Sequence, residues 1–354
     1  MYLFYNSLMN TILLILTGGT IGSEKKKNII NVSQKNYLQS FLKKTSKEVV
    51  FKIIQPINIL SENAIPDDWN SIVKSIEENW NNDYSGIIIT HGTDTLSFTS
   101  SALSQYFYNF NKPVILVSSD KPIKEKNATG KKNLEAAINF ILKTKLPGTY
   151  ISYKNPKENF VSFYLGSRVK QINSYDNALN ARYSGIFCNF KKNKFQFIIT
   201  KNPSILSIKK NGNSYKLNNK FRFSKKILII NPYPGLNYDV YNFNKIKPKA
   251  VLHTLYHSET ASTRNNTKEN FSLEKFIKKN RYKKIPFYIT PISEKNKNIY
   301  ASLKSLLKLN VKCLYGISFE TAYAKLTLAY KSFKNKKNRN NFLQKNNFFE
   351  KIYF

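Results

Sequence analysis

Short runs rich in β-branched residues alternate along this chain with longer amphipathic stretches, and this alternation restricts the fold more than any other feature. Thr11–Leu16, Val49–Ile54, Gly86–Thr90 and Pro113–Val117 read as strands, and Asp67–Trp80, Ser97–Tyr108 and Lys131–Leu142 as helices. Such an order predicts an α/β fold with a mainly parallel sheet flanked by helices, because a parallel crossover needs a long return connection. From Lys209 to Lys220 the chain reads KKNGNSYKLNNK, polar and poor in hydrophobes. The expected organisation is therefore a larger N-terminal domain over 1–208, a linker over 209–222, and a smaller α/β C-terminal domain over 223–354. In that second part strands are expected at Ile227–Ile230, Ala250–Thr254, Pro286–Ile289 and Lys312–Tyr315. Helices are expected at Leu273–Lys279, Ile299–Leu309 and Phe319–Tyr330, and the segment from Lys331 reads as a frayed tail or one more helix.

Length agrees with two domains: 354 residues exceed the roughly 150 of a usual one, and 41% hydrophobic residues can fill two cores. The formal charge of +36 would by itself suggest a nucleic-acid or membrane-surface partner. Arginine, however, occurs only at Arg168, Arg182, Arg222, Arg264, Arg281 and Arg339, so lysine supplies the rest. Proteins that recognise phosphates and bases lean on arginine's bidentate fork. Asn, Ile, Phe and Tyr, which share A/T-rich codons with lysine, are also abundant, so the charge reads as nucleotide bias, with a polyanion-binding surface as the alternative.

Cys188 and Cys313 stand far apart with no CxxC or Cys/His spacing, which indicates neither a disulfide framework nor a zinc site. Residues 1–23 hold no Lys or Arg, and Ile12–Leu16 runs straight into Gly18-Gly19. That stretch is expected to be a buried first strand rather than a signal peptide, with Met9 an alternative start. No segment reaches the roughly 18 uninterrupted apolar residues of a membrane helix, so a soluble, cytoplasmic protein is expected.

In a doubly wound sheet, ligands bind beyond the carboxyl ends of the strands. After the first strand comes Thr17-Gly18-Gly19-Thr20-Ile21-Gly22, and after the third comes His91-Gly92-Thr93-Asp94-Thr95, with a helix expected to begin close to Thr95. Glycines there permit close approach of a ligand and present a hydroxyl beside bare backbone N–H groups. His91 invites assignment as a general base.

TGGTI followed by HGTDT resembles the L-asparaginase family, and its cytoplasmic type I branch in particular. The likeness continues through Ser61-Glu62-Asn63 ahead of Pro66-Asp67-Asp68-Trp69, Lys112-Pro113-Val114-Ile115-Leu116, and Gly130-Lys131-Lys132-Asn133-Leu134. It resumes at Tyr233-Pro234-Gly235, Tyr256-His257-Ser258 and Phe319-Glu320-Thr321-Ala322, leading into Lys325-Leu326. The resemblance implies a threonine amidohydrolase that splits L-asparagine into aspartate and ammonia through an acyl-enzyme. A threonine hydroxyl is a poor nucleophile at neutral pH, so such chemistry needs a base or proton relay and aimed oxyanion donors.

Carried over by motif, Thr20 would attack and Thr93 would be the second threonine, its backbone N–H an oxyanion donor. Asp94 would orient the site lysine near the substrate's α-ammonium. Ser61 would hold the α-carboxylate, with Glu62 in the same loop and Gly92 beside it. Ser119 would offer its backbone carbonyl to the substrate amide, with an ordinary strand-end serine as the alternative. In the matching motif His91 is a packing residue. The resemblance also implies a homodimer or homotetramer, with a C-terminal domain that helps close a neighbour's site, and neither metal nor organic cofactor.

The pattern departs from the family at several places. Type I members carry Arg-x-x-Lys where this chain reads Arg168-Val169-Lys170-Gln171; a one-residue deletion makes Lys170 the site lysine, and an ungapped match puts Gln171 there. On a strand those choices point to opposite faces. We favour Lys170, because an exit loop can absorb a one-residue deletion, whereas Gln171 cannot act as a proton acceptor or donor in catalysis. Thr129 replaces an acidic residue, and Glu259 replaces a glycine, facing either a neighbouring subunit's substrate or solvent. The polar loop Ser23–Asn28 carries no tyrosine before Tyr37, so a lid tyrosine is missing or replaced, although such a loop remains compatible with gating. Two rival readings follow. One is the related archaeal-type glutamyl-tRNA amidotransferase subunit, which would use the charge to dock RNA but carries an extra domain ahead of its TGGT motif, where sixteen residues precede Thr17 here. The other is a catalytically weakened descendant of the family.

Overall fold

The computed structural model of the chain describes residues 10–26, 29–32, 42, 49–175, 177–181, 185–198, 202–214, 217, 220–294 and 298–352. The alternative start at Met9 and the lid question at Tyr37 fall outside them. The chain divides into two compact units, Met1–Asn219 and Lys220–Phe354.

The first unit's strands are β1 (Asn10–Ile15), β2 (Ser23–Lys26), β3 (Ile29–Val32), β4 (Val49–Ile54), β5 (Gly86–Thr90), β6 (Pro113–Val117), β7 (Gly148–Tyr153), β8 (Val161–Leu165), β9 (Ile186–Lys191) and β10 (Lys194–Phe197). Its helices are α1 (Pro66–Asn79), α2 (Leu96–Tyr106), α3 (Gly130–Thr144) and α4 (Ile205–Asn211). Eight strands form one sheet in the order β10-β9-β8-β7-β6-β5-β1-β4. The run from β4 to β7 is parallel, and β8, β9 and β10 continue it antiparallel. Ile12–Ile15, Ile87–Ile89 and Val114–Val117 are fully buried, as parallel strands covered on both faces must be.

Local chemistry sets the helix ends. Proline opens α1, and the Asp68 carboxylate accepts the Ile65 N–H at 2.7 Å. The serine-rich α2 is buried almost throughout, and two of its hydroxyls are satisfied by nearby carbonyls: Ser104 donates to the Ser100 carbonyl at 2.7 Å, and Ser100 to the Gly166 carbonyl at 3.0 Å, while the buried Ser97 hydroxyl has no partner among the described residues. Where a polar loop was expected after Thr20, β2 and β3 pair as an antiparallel hairpin.

The second unit holds β11 (Ile227–Ile230), β12 (Ala250–Thr254), β13 (Phe287–Ile292) and β14 (Lys312–Tyr315), parallel and in chain order. Its helices are α5 (Phe243–Ile246), α6 (Leu273–Asn280), α7 (Ala301–Leu307), α8 (Phe319–Ser332) and α9 (Lys336–Gln344). Phe276 anchors its core, with the rings of Tyr238, Phe243 and Phe287 at 5.3, 5.2 and 5.9 Å. Of the two options for the segment from Lys331, the helix is the one found. It is held because Glu350, fully buried, meets Lys325 of α8 at 2.6 Å and accepts the N–H groups of Asn347 and Phe348. Those partners outweigh burial and keep the Glu350 carboxyl below its ordinary pKa.

Candidate active site

The chain leaves β1 for β4 on one side and returns through α1 to β5 on the other, so β1 and β5 flank a switch point at the carboxyl edge of the sheet. Threonines lash these strand ends together. The Thr17 hydroxyl donates to the Thr90 carbonyl at 2.5 Å, and the Thr17 N–H reaches the Thr90 hydroxyl at 3.3 Å. Past Thr17, the Ile59 N–H donates to the Thr17 carbonyl at 3.1 Å and the Gly19 N–H to the Ile59 carbonyl at 2.9 Å, extending the pairing toward β4.

Gly19 then takes φ 70°, a conformation side chains rarely adopt, and starts the 3-10 turn Thr20–Gly22. Its carbonyl accepts both the Gly22 N–H at 3.0 Å and the Ser23 hydroxyl at 2.7 Å, which pins the half-exposed Thr20 at the start of that turn. A Cβ on Gly19 would stand 2.3 Å from the Gly92 nitrogen, so the two exit loops touch backbone to backbone. A Cβ on Gly92 would in turn stand 2.4 Å from the Ser61 hydroxyl oxygen.

Ser61 is buried in the 3-10 turn Ser61–Asn63, while Glu62 is exposed. The Ser61 hydroxyl oxygen accepts the Asp94 N–H at 3.2 Å and lies 3.5 Å from its carboxylate, and the Thr95 hydroxyl donates to the Ser61 carbonyl at 2.8 Å. Thr95 is the residue before α2, as the sequence suggests. Trp69 secures the loop from behind, its indole N–H donating to Thr99 of α2 at 3.0 Å. Thr20, Ser61, Gly92, Thr93 and Asp94 are thus gathered on contacting segments.

His91 is buried, and its Nδ1 donates to the Gly92 carbonyl at 2.8 Å. Burial lowers its pKa, so the ring is a neutral packing element. Ser119 lies two residues past the end of β6 with its side chain occupied: the hydroxyl donates to the Lys121 carbonyl at 2.6 Å and accepts the Gly130 N–H at 3.0 Å. Thr129 gains its acidic partner from elsewhere, because Asp120 Oδ1 accepts both its N–H and its hydroxyl at 2.8 Å.

Lys170 lies on a different segment. β8 runs antiparallel to β7, and its last residue, Leu165, faces Tyr150 in the amino-terminal half of β7. The chain then turns back: Val169 bridges Ala181, and the Lys170 N–H donates to the Asn180 carbonyl at 3.0 Å. Leu179 exchanges hydrogen bonds with the Asn155 side chain, just beyond the carboxyl end of β7. Through Asn180 and Leu179, Lys170 is therefore tied to the segment that meets Asn155 beyond the carboxyl end of β7. Arg168 and Val169 are both buried, and Lys170 and Gln171 both exposed. The segment is not a pleated strand, so the opposite-face argument for choosing between Lys170 and Gln171 does not apply. Glu259 is not turned to solvent: it is buried, at φ 61°, and accepts the Ser293 N–H at 2.8 Å.

Sequence reasoning missed the Thr17–Thr90 lashing and the Asp120–Thr129 exchange. The signal for the first was available, since β5 ends in Thr90 and a threonine, Thr17, follows β1 two residues past its end. Among the described residues no group of three His, Cys, Asp or Glu side chains is placed to hold a metal, and no helix is long and apolar enough to cross a membrane. Cys188 and Cys313 are buried free thiols.

A family described as "Asparaginase, N-terminal" matches residues 11–198. The L-asparaginase of Thermococcus kodakarensis is 34% identical over 167 residues, 46% of this chain and 48% of that protein, so the match spans about half the relative's length. A glutamyl-tRNA(Gln) amidotransferase subunit of Methanosphaera stadtmanae is 24% identical over 331 residues, 89% of this chain and 71% of that one. Among solved structures, the thermostable L-asparaginase from Thermococcus kodakarensis superposes with a TM-score of 0.77 at 23% identity, covering 97% of this chain and 100% of that one. L-asparaginase I from Vibrio cholerae follows with a TM-score of 0.74 at 22% identity, covering 97% and 99%. At these identities the two structures establish the shared α/β fold.

Proposed function

Because this chain belongs to the asparaginase family, we propose that it hydrolyses the side-chain amide of L-asparagine to L-aspartate and ammonia. The observation that carries this reading is the contact of Gly19 with Gly92, which sets Thr20 and Thr93 on abutting loops at the β1/β5 switch point. Thr20 Oγ1 attacks the amide carbon, and the backbone N–H of Thr93 faces the developing oxyanion. The hydroxyl proton passes through a relay of Thr93, Lys170 and Asp94 to the departing nitrogen, which leaves as ammonia. Water then attacks the acyl-threonine, restoring the hydroxyl and releasing aspartate. Ser61 receives the α-carboxylate, with Glu62 and Gly92 beside it, and the Ser119 carbonyl accepts the amide N–H.

The same reading carries a cytoplasmic location and a homodimer or homotetramer. Glu259 is then a structural residue of its own subunit, in keeping with its bond to the Ser293 N–H. The test is ammonia release from L-asparagine and L-glutamine by wild type, Thr20→Ala, Lys170→Ala and Gln171→Ala. The proposal expects activity to collapse in the first two variants and to survive in the third. A wild type no faster than Thr20→Ala would sink it in favour of a weakened descendant.

The amidotransferase reading is kept because the Methanosphaera stadtmanae relative matches along 89% of the chain. Binding of tRNA that weakens steeply with salt, at a slope reporting several neutralised phosphates, would favour it.

A further inference from the structure

We infer that the second unit carries a binding site for a small phosphorylated compound at the amino-terminal edge of its sheet. A cavity of about 440 Å³ lies there. Lys249 directly precedes β12, Pro286 directly precedes β13 and Lys312 opens β14; the three strands are parallel, so one edge collects all three starts. This is the edge opposite Tyr256 and Glu259, and it is unrelated to the residues assigned above.

The lining is charged with one sign. Lys249, Arg281, Lys284, Lys312, Lys336 and Arg339 face the cavity, and no Asp or Glu does. Among the described residues none of these six forms an ion pair. Their hydrogen bonds go to neutral acceptors: Lys249 Nζ to the Tyr330 carbonyl at 3.4 Å, Lys312 Nζ to Asn340 Oδ1 at 3.3 Å, and Arg339 to the Phe333 carbonyl at 3.2 Å. The Arg339 Nε is buried without any acceptor, and its guanidinium lies over the Tyr330 ring, 4.5 Å from the centroid. Burial, with Lys336 and Arg339 alongside, disfavours the charged form of Lys312.

Compositional bias toward lysine does not account for this cluster, because two of the chain's six arginines line the one cavity. A guanidinium fork and converging ammonium groups match a phosphate's several acceptor oxygens and its charge of about −1.5 to −2 better than they match a single carboxylate. An anion seated here would relieve the mutual repulsion and give Arg339 Nε its missing acceptor. Ile277, Phe287 and Leu309 supply apolar wall, and the volume falls within the roughly 300–1,000 Å³ of small-molecule sites. Phosphate groups on a compact apolar body fit both features.

The test is calorimetric titration of the full chain with inorganic pyrophosphate and with ADP, at an ionic strength held constant with KCl. One saturable site is expected, weakened about tenfold or more by Arg339→Gln and by Lys336→Gln and unchanged by Lys337→Gln, an exposed lysine of the same helix outside the cavity. Lys336 is exposed, so that variant keeps the test decisive even if Arg339→Gln fails to fold. Non-saturating, many-site binding would overturn the inference as general attraction to a cationic protein. So would unchanged affinity in the Lys336 variant, or binding of a short RNA through these residues with none of pyrophosphate.

Discussion

Gly19→Ala tests the contact on which the candidate site depends. The residue sits at φ 70° and ψ 178°, a region that is essentially glycine-only and costs other residues about 1–3 kcal/mol. The added methyl would also meet the Gly92 nitrogen at 2.3 Å, and a backbone atom cannot rotate aside as a side-chain end can. Overpacking of that kind costs about 1–3 kcal/mol, giving a total of about 2–6 kcal/mol. Gly22, three residues on, has nothing within 4 Å of its Cβ position and no positive φ, so Gly22→Ala should change stability by less than about 1 kcal/mol. Urea unfolding followed by far-UV circular dichroism measures the pair, with ammonia release from asparagine on the same samples. Gly19→Ala should lose stability and, where still folded, activity, because relief of the clash parts the loops bearing Thr20 and Thr93. Equal stability of the two variants within about 0.5 kcal/mol, with activity intact in both, would refute the reasoning.

Three further outcomes follow from the same geometry. Thr17→Val keeps the shape but leaves the buried Thr90 carbonyl without its donor, a loss of about 1–2 kcal/mol in chemical denaturation. Either Glu350→Gln or Lys325→Met strands a fully buried partner and should cost about 3–5 kcal/mol, whereas the double variant Lys325→Met, Glu350→Leu should recover much of it. Burial lowers the His253 pKa from 6.5 to about 4. The unfolded chain then binds the proton more tightly than the folded one, so up to about 3 kcal/mol of stability should disappear as pH falls from 6.5 toward 4. His253→Gln should flatten that acid limb relative to wild type.

The parallel strands β1, β4, β5 and β6 and the helices among them were legible, the clearest signal being the uninterrupted apolar runs Ile12–Ile15, Ile87–Ile89 and Val114–Val117, the pattern of strands buried on both faces. β7 through β10 were not, and the reason is visible in their side chains. Ser152 and Ser162 lie fully buried but satisfied, the first donating to the Asn133 carbonyl at 2.8 Å and the second to Asn189 Oδ1 at 3.0 Å. A serine with an internal partner looks in the sequence like a serine in a loop. The C-terminal segment was ambiguous for a related reason. Its run of Lys and Asn offers little apolar periodicity, and what holds it is one buried charge pair, Lys325 with Glu350, whose members are 25 positions apart.

The candidate site divides along the same line. Thr20, Ser61, Gly92, Thr93 and Asp94 follow strands whose ends are fixed by sheet pairing, so position in the chain predicts position in space. Lys170 follows an antiparallel strand and a return segment held by Asn180 and Asn155, where no pleat relates one residue's direction to the next. Two adjacent exposed side chains on such a segment differ only in what their termini can do. An ammonium is an acid whose conjugate amine takes the proton back, and a carboxamide is neither acid nor base near neutral pH. The choice of Lys170 over Gln171 therefore rests on chemistry rather than on backbone geometry, which is why the two alanine variants are needed side by side.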